Sequence, residues 1–160
     1  MTAPTPIDSL DLRDRLGSAA PPRVLDVRTP GEFETALAGF LAFSKRHDLT
    51  DHERAIACNN LAYLYAVEGN PEKLAEADEL SQSAIAVLPN EAFAKGTRAS
   101  VLIRLGRHSE GEKMIIDLKP EVTKISHQVQ HSCWLALAVA QQCRHDEARR
   151  HLAEAREKIP

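Results

Sequence analysis

The chain has 160 residues, a length typical of one domain, and its hydrophobic fraction of 43% is ordinary for a protein that buries a core. Its formal net charge is −3, and the mixing of acidic and basic residues along the chain excludes the basic stripe that nucleic-acid backbones require. Aromatic residues make up only 4%, so small aliphatic side chains must form the core, which favours close helix packing over a sheet sandwich.

The cellular location is indicated by what the sequence lacks. No apolar run approaches the roughly 20 residues that a transmembrane helix needs, and the N-terminus has neither the basic start nor the apolar middle of a secretory signal. The cysteines Cys58, Cys133 and Cys143 are odd in number and widely spaced, which is typical of reduced thiols. We therefore expect a cytoplasmic protein with no membrane insertion.

The N-terminal stretch contains a strand candidate. Asp8 and Ser9 can cap a short helix, and residues 23–27 form a short β-branched run between turn signals. With the Thr-Pro-x-Glu-Phe that follows, residues 8–33 resemble the opening of a rhodanese-like domain. The resemblance stops there, because the chain continues with a helical pattern and the best match to the family's cysteine loop, at Cys143, lacks the glycine of such a loop.

Helices are predicted from residue 31 onward. Residues 31–47 carry an apolar stripe and are expected to form one helix that covers the end of the domain. Thr50 and Glu53 form a capping box that starts a helix ending at Gly69, and Asn70 starts its partner, which runs to about residue 87.

The same alternation continues to the C-terminus. Asn90 is expected to cap a helix over residues 91–105, which Gly106 ends, and Ser109 with Glu112 is expected to cap a helix to about residue 118. Pro120 then opens a long segment to about residue 142, and a last helix follows over residues 145–158.

Several positions recur at an interval of 37 residues. The recurring sets are Ala62, Ala99 and Ala136; Tyr65, Leu102 and Val139; and Gly69, Gly106 and Cys143. Small residues that can bring two helices close together also recur, at Ala77, Gly111 and Ala148. A period held over three copies indicates a helical repeat protein.

This pattern resembles tetratricopeptide repeats, with a period of 37 residues where that family usually has about 34. The resemblance implies an all-α fold: three helical hairpins, at about residues 50–89, 90–125 and 126–160, in a right-handed array with an N-terminal capping helix. Residues 37–160 would form this repeat domain. Residues 1–36 would form a truncated rhodanese-like leader, partly disordered, with a short extended segment.

In tetratricopeptide arrays the first helix of each hairpin lines a concave face that binds a partner peptide. The resemblance therefore implies a non-catalytic interaction module or scaffold, with Asn59 and Gln130 bonding a peptide backbone and Arg104 meeting an acidic group. The full predicted face is Asn59, Tyr63, Gly96, Ser100, Arg104, Gln130, Cys133 and Leu137.

Two alternative functions remain open. The leader allows a rhodanese-related sulfurtransferase, degenerate or completed by a partner chain, with Cys143 as the sulfur carrier. The C-terminal helices resemble those attached to some bacterial membrane-embedded zinc peptidases, which allows an accessory module of such a system, although the chain lacks a His-Glu-x-x-His motif.

No cofactor or metal is expected. His127 and His131 lie one helical turn apart, but no cysteine or carboxylate nearby supplies a third ligand. The expected partner is a protein or peptide, with no nucleic acid, and a homo-oligomer is possible because nothing in the sequence covers the last helix.

Overall fold

The computed structural model describes residues 30–159, and all regular structure in that range is helical. The helices are α1 (Pro30–Ser44), α2 (Asp51–Glu68), α3 (Pro71–Val87), α4 (Ala92–Arg104), α5 (His108–Leu118), a 3-10 helix (Lys119–Glu121), α6 (Ile125–Gln141) and α7 (His145–Glu157). The predicted all-α class is therefore confirmed over the described residues. The predicted strand at 23–27 and most of the 1–36 leader lie outside them.

The most extensive helix contacts lie within three consecutive pairs, α2 with α3, α4 with α5 and α6 with α7. The first helices of these pairs also touch, because α4 contacts both α2 and α6. Helix α1 packs on α2 through Phe33, Leu37 and Leu41, which lie against the hydrophobic core as the predicted apolar stripe requires.

Local hydrogen bonds explain where α2 and α3 begin. The Glu53 backbone N–H donates to Thr50 Oγ1 at 3.2 Å, and the Thr50 N–H donates to the Glu53 carboxylate at 2.9 Å, which completes the predicted capping box. At the start of α3, the Glu72 N–H donates to Asn70 Oδ1 at 3.1 Å, and Pro71 occupies the first helical position.

The ends of α2, α4 and α6 share one backbone conformation. Gly69, Gly106 and Cys143 all lie in the left-handed region, with φ of 68°, 82° and 61°. This is the position at which the 37-residue period predicted a helix end. Cys143 is the one residue other than glycine with a positive φ in the described part of the chain.

Two predicted caps are wrong. Helix α4 begins at Ala92 with Glu91 at the N-cap, so Asn90 lies one residue outside, and no side chain caps this end. Helix α5 begins at His108, and Ser109 is already inside it; the Ser109 hydroxyl instead donates to Gln142 Oε1 at 3.0 Å, across to the next hairpin. Asn90 and Ser109 are both residue types that commonly cap helices, but each helix begins at a neighbouring position, with Glu91 and Arg107 as the N-cap residues.

The long helix expected from Pro120 is also interrupted. Residues Lys119–Glu121 form a single 3-10 turn, and α6 starts only at Ile125. Between them Val122 is buried in an extended conformation, and the Gln128 side-chain amide donates to the Val122 carbonyl at 2.9 Å. Burial of this valine turns the chain before α6 begins.

An arginine–glutamate pair opens both α5 and α7. Arg107 precedes α5 and makes two hydrogen bonds to the Glu110 carboxylate, at 2.7 and 2.6 Å. Arg144, 37 residues later, makes the equivalent pair with Glu147, at 2.8 and 2.5 Å. Arg144 also donates to Glu112 on α5 at 2.7 Å, so it joins the last hairpin to the preceding one.

The recurring small residues lie where helices approach most closely. Ala62, Ala99 and Ala136 are at most 3% exposed, and Ala77, Gly111 and Ala148 are buried as well. At Gly111 a Cβ atom would lie 2.5 Å from Ile103 Cγ1 and 2.7 Å from the Ala99 carbonyl oxygen. The α4–α5 contact therefore has no room for a methyl group at this position.

Candidate functional site

A groove with a volume of about 490 Å³ lies across α2, α4 and α6. It contains five of the eight residues predicted for a binding face: Asn59, Tyr63, Gly96, Ser100 and Gln130. These side chains lie on three different helices, and the packing of α4 between α2 and α6 brings them together.

The other three predicted residues do not line this groove. The Arg104 guanidinium turns back to the end of α2, where it donates to the Ala66 carbonyl at 2.8 Å and to the Val67 carbonyl at 3.4 Å. Leu137 is 8% exposed and belongs to the hydrophobic core. Cys133 is half-buried, and burial raises the pKa of its thiol.

The groove has apolar walls and an uncharged polar lining. Ile56, Phe93 and Val122 contribute apolar surface, and Phe93 is 38% exposed at the groove. Amides, hydroxyls and two imidazoles supply the polar groups, and no lysine, arginine, aspartate or glutamate among residues 30–159 lines it. Such a surface suits a neutral occupant that both packs and forms hydrogen bonds.

Three lining residues have buried polar atoms without a hydrogen-bond partner. These atoms are Asn59 Oδ1, His131 Nδ1 and Trp134 Nε1, and they account for three of the four such side-chain atoms in residues 30–159. Asn59 is 4% exposed and Trp134 is 1% exposed. An unpaired buried polar atom costs about 1–3 kcal/mol, so the groove holds hydrogen-bonding capacity that the fold itself leaves unused.

His131 fits between α4 and α6 because Gly96 has no side chain. A Cβ atom at Gly96 would lie 2.9 Å from His131 Nε2. Burial, with a smaller contribution from the nearby His127, lowers the pKa of His131 from its ordinary value to about 4. The imidazole is therefore neutral near pH 7 and presents one N–H and one lone pair.

Trp134 joins the groove to the core beneath it. Its ring belongs to the main hydrophobic cluster and also lines the groove. The Arg104 guanidinium carbon lies 5.4 Å from the centre of the ring, a distance at which a cation is attracted to an aromatic face. Arg104 therefore holds two groove helices in place, since it contacts Trp134 on α6 and the carbonyls that end α2.

Cys143 lies away from the groove, in the turn between α6 and α7. Its own N–H donates to the Ala140 carbonyl at 3.0 Å, and the Arg144 N–H donates to the Val139 carbonyl at 2.9 Å. These two N–H groups complete the end of α6, so they are not free to stabilise a thiolate or persulfide at Cys143.

Five further residues line the groove although the predicted face does not include them: Asn60, Phe93, His127, His131 and Trp134. The spacing of His127 and His131 was interpreted only as a failed metal pair. The sequence signal for His131 is Gly96, a glycine inside a predicted helix, which indicates close approach by a neighbouring group.

No helix in the described range is long and apolar enough to cross a bilayer. The sequence matches no protein-family model, and no protein of curated function is significantly similar to it.

Proposed function

We propose that this chain is a non-catalytic interaction module of the tetratricopeptide type, which binds a segment of a partner protein in the groove across α2, α4 and α6. The three helical pairs would be the three repeats, and the groove would be their concave face. The 37-residue recurrence of left-handed helix ends supports this interpretation, as does the burial of each recurring small residue.

The observation that carries the proposal is the concentration of unpaired polar atoms in the groove. A purely structural interior pairs its polar groups, because each one left unpaired destabilises the fold. Here Asn59, His131 and Trp134 keep unpaired atoms in a groove that also has an exposed aromatic residue, Phe93, and an apolar wall. A bound segment would supply partners for these atoms and cover that wall.

Affinity capture with a matched pair of variants tests the proposal. Phe93→Glu places a charge at the groove, and Ile116→Glu places the same charge on an equally apolar site outside it, where Ile116 is 48% exposed. Lysate of the native host is passed over each immobilised protein, and retained proteins are identified by mass spectrometry.

We expect a partner that wild type and Ile116→Glu retain and Phe93→Glu loses, with all three proteins having similar Tm. Equal retention by the three proteins would contradict binding in the groove. A partner lost only by Ile116→Glu would place binding on the outer surface of α5.

A further inference from the structure

The lining of the groove favours an uncharged ligand. In the described part of the chain fourteen residues form the lining, and none of them is a lysine, arginine, aspartate or glutamate. Arg104 contacts the Trp134 ring, but its guanidinium donates to the Ala66 carbonyl and it does not line the groove. A charged side chain entering here would lose its hydration without gaining an opposite charge.

The unpaired atoms set the hydrogen-bonding chemistry. Trp134 Nε1 can only donate and Asn59 Oδ1 can only accept. The complementary group must therefore combine an acceptor and a donor without a net charge. A carboxamide does so within one plane, through its carbonyl oxygen and its NH2 group. A hydroxyl donates and accepts at a single oxygen atom, whereas a carboxamide has its donor and its acceptor on two different atoms, and a carboxylate has no hydrogen to donate.

The burial of these atoms favours a side chain over a backbone amide as that group. Asn59 is 4% exposed and Trp134 is 1% exposed although both line the groove, so only a small part of each residue is open to an incoming group. A backbone amide carries a substituted Cα on each side, whereas the amide of glutamine stands at the end of a slender aliphatic stem. Within residues 30–159 the Asn59 amide makes one hydrogen bond, a 3.3 Å contact from its Nδ2 to Asn60 Oδ1, so it can turn toward an incoming group.

We propose that the groove recognises an uncharged stretch of a partner chain and takes the carboxamide side chain of a glutamine or asparagine between Asn59 and Trp134. This inference rests on the proposed function and specifies the partner's chemistry. The flanking residues of the bound stretch are apolar, because they meet Ile56 and Phe93.

A random heptapeptide display library tests both whether the groove binds peptides and whether it prefers a carboxamide side chain. The library is selected on the full chain and depleted on the Phe93→Glu chain, so that only groove binders remain. Enriched peptides that share a Gln or Asn, flanked by uncharged residues, are the expected result. Enriched peptides that share an Asp, Glu, Lys or Arg would overturn the inference while leaving a peptide-binding groove in place. Absence of enrichment over the Phe93→Glu chain would overturn the groove as a peptide site altogether.

A fluorescence titration then measures how much the carboxamide contributes to the affinity of the peptide. Trp134 is the only tryptophan in the chain, so its emission reports occupancy of the groove directly. The best selected peptide is compared with versions in which its Gln is replaced by Glu or by Leu. We expect the Glu version to bind at least about tenfold more weakly, and the Leu version roughly five- to tenfold, because each leaves a buried group unpaired. Equal affinity of all three would overturn the proposed role of Asn59 and Trp134.

Discussion

Gly106 and Cys143, 37 residues apart, end their helices in the same way. Both have a left-handed φ, of 82° and 61°. In each case the N–H of the next residue donates to a carbonyl five positions earlier, from Arg107 to Leu102 and from Arg144 to Val139, both at 2.9 Å. The end of α6 thus keeps the hydrogen bonds found at the end of α4 but places a side chain where glycine is favoured.

Cys143→Gly should therefore stabilise the protein. A non-glycine residue in the left-handed region costs about 1–2 kcal/mol, and the greater entropy of glycine in the unfolded chain offsets part of that gain. We expect a net increase of about 0.5–1 kcal/mol in the free energy of unfolding, measured by urea denaturation. Gly106→Cys, the reverse change at the equivalent site, should lower it by a similar amount. A destabilising Cys143→Gly would show that the thiol makes a contact that outweighs backbone strain.

Gly111→Ala should be strongly destabilising although alanine is the better helix former. The added methyl would meet Ile103 and the Ala99 carbonyl oxygen at 2.5 and 2.7 Å, and overpacking of this kind costs about 1–3 kcal/mol. Gly39→Ala on α1 is the control, because nothing lies within 4 Å of its added Cβ. It should leave stability unchanged or raise it by up to about 1 kcal/mol. Equal effects in urea denaturation would mean that α4 and α5 can separate freely.

Asp78→Ala should lower the free energy of unfolding far more than the substitution of an exposed aspartate does. Asp78 on α3 pairs with the buried Arg98 on α4, which also donates to Ser81 Oγ at 2.9 Å. Without this carboxylate the guanidinium keeps its hydrogen bonds to Ser81 Oγ and to the main-chain carbonyl of residue 78, but it loses its paired negative charge, and we expect a loss of about 2–4 kcal/mol. Asp117→Ala, which removes an exposed partner of Lys113, should cost no more than about 0.5 kcal/mol. Similar losses from the two changes would contradict the role of Asp78 between the first two hairpins.

The partly buried His131 should make stability depend on pH above the range where carboxylates titrate. Its pKa in the fold is about 4, below the ordinary value of 6.5, so the unfolded chain takes up the proton first. Stability is present above pH 6.5 and is lost as the pH falls toward 4. We expect the loss between about pH 7.5 and 5 to be about 2 kcal/mol greater in wild type than in His131→Gln.

Urea denaturation at several pH values measures this difference. His52→Gln, which changes an exposed histidine at the start of α2, serves as control and should keep the wild-type slope. If His131→Gln also keeps that slope, the imidazole is not held in its neutral form by burial.

Arg104→Gln should disturb the groove through the helices that form it. The substitution removes the guanidinium from the Trp134 ring and weakens the hydrogen bonds to the α2 carbonyls. Hydrogen bonds from a charged group contribute about 1.5–3 kcal/mol each, so a loss of that order is expected. The Trp134 emission maximum should shift in the folded protein, while Arg107→Gln, which changes an exposed pair, should leave it in place. An unshifted spectrum in Arg104→Gln would contradict the contact.

The 37-residue period predicted the ends of the helices well because the conformation at each end is local. The turn at Cys143 could be placed although the residue itself is atypical, since its two equivalents are glycines. The capping box at Thr50 is equally local. Asn90 and Ser109 failed as caps because several neighbouring positions could start each helix, and long-range contacts such as that from Ser109 to Gln142 decided between them.

The groove could be predicted only in part, for a geometric reason. A repeat frame fixes the direction in which a side chain leaves the helix, which is enough for short residues such as Asn59 and Ser100. The repeat frame does not fix the position of the tip of a long side chain. The Arg104 guanidinium lies outside the predicted face, where it donates to the carbonyls of Ala66 and Val67. His131 entered the groove because of the gap at Gly96, 35 positions earlier, a pairing between helices that periodicity does not encode.

The junction at Arg144 has a consequence for protein engineering. Residues 107–143 begin with an arginine that can play the part of Arg144, and they include Glu112, the acceptor that Arg144 uses. Inserting a duplicate of this segment after Cys143 would place the Arg107 of the copy against the original Glu112, and the Glu112 of the copy against Arg144. Both junctions of the inserted segment would then have an arginine and a glutamate that can pair. We therefore expect that longer proteins of the same kind can be built by repeating this segment.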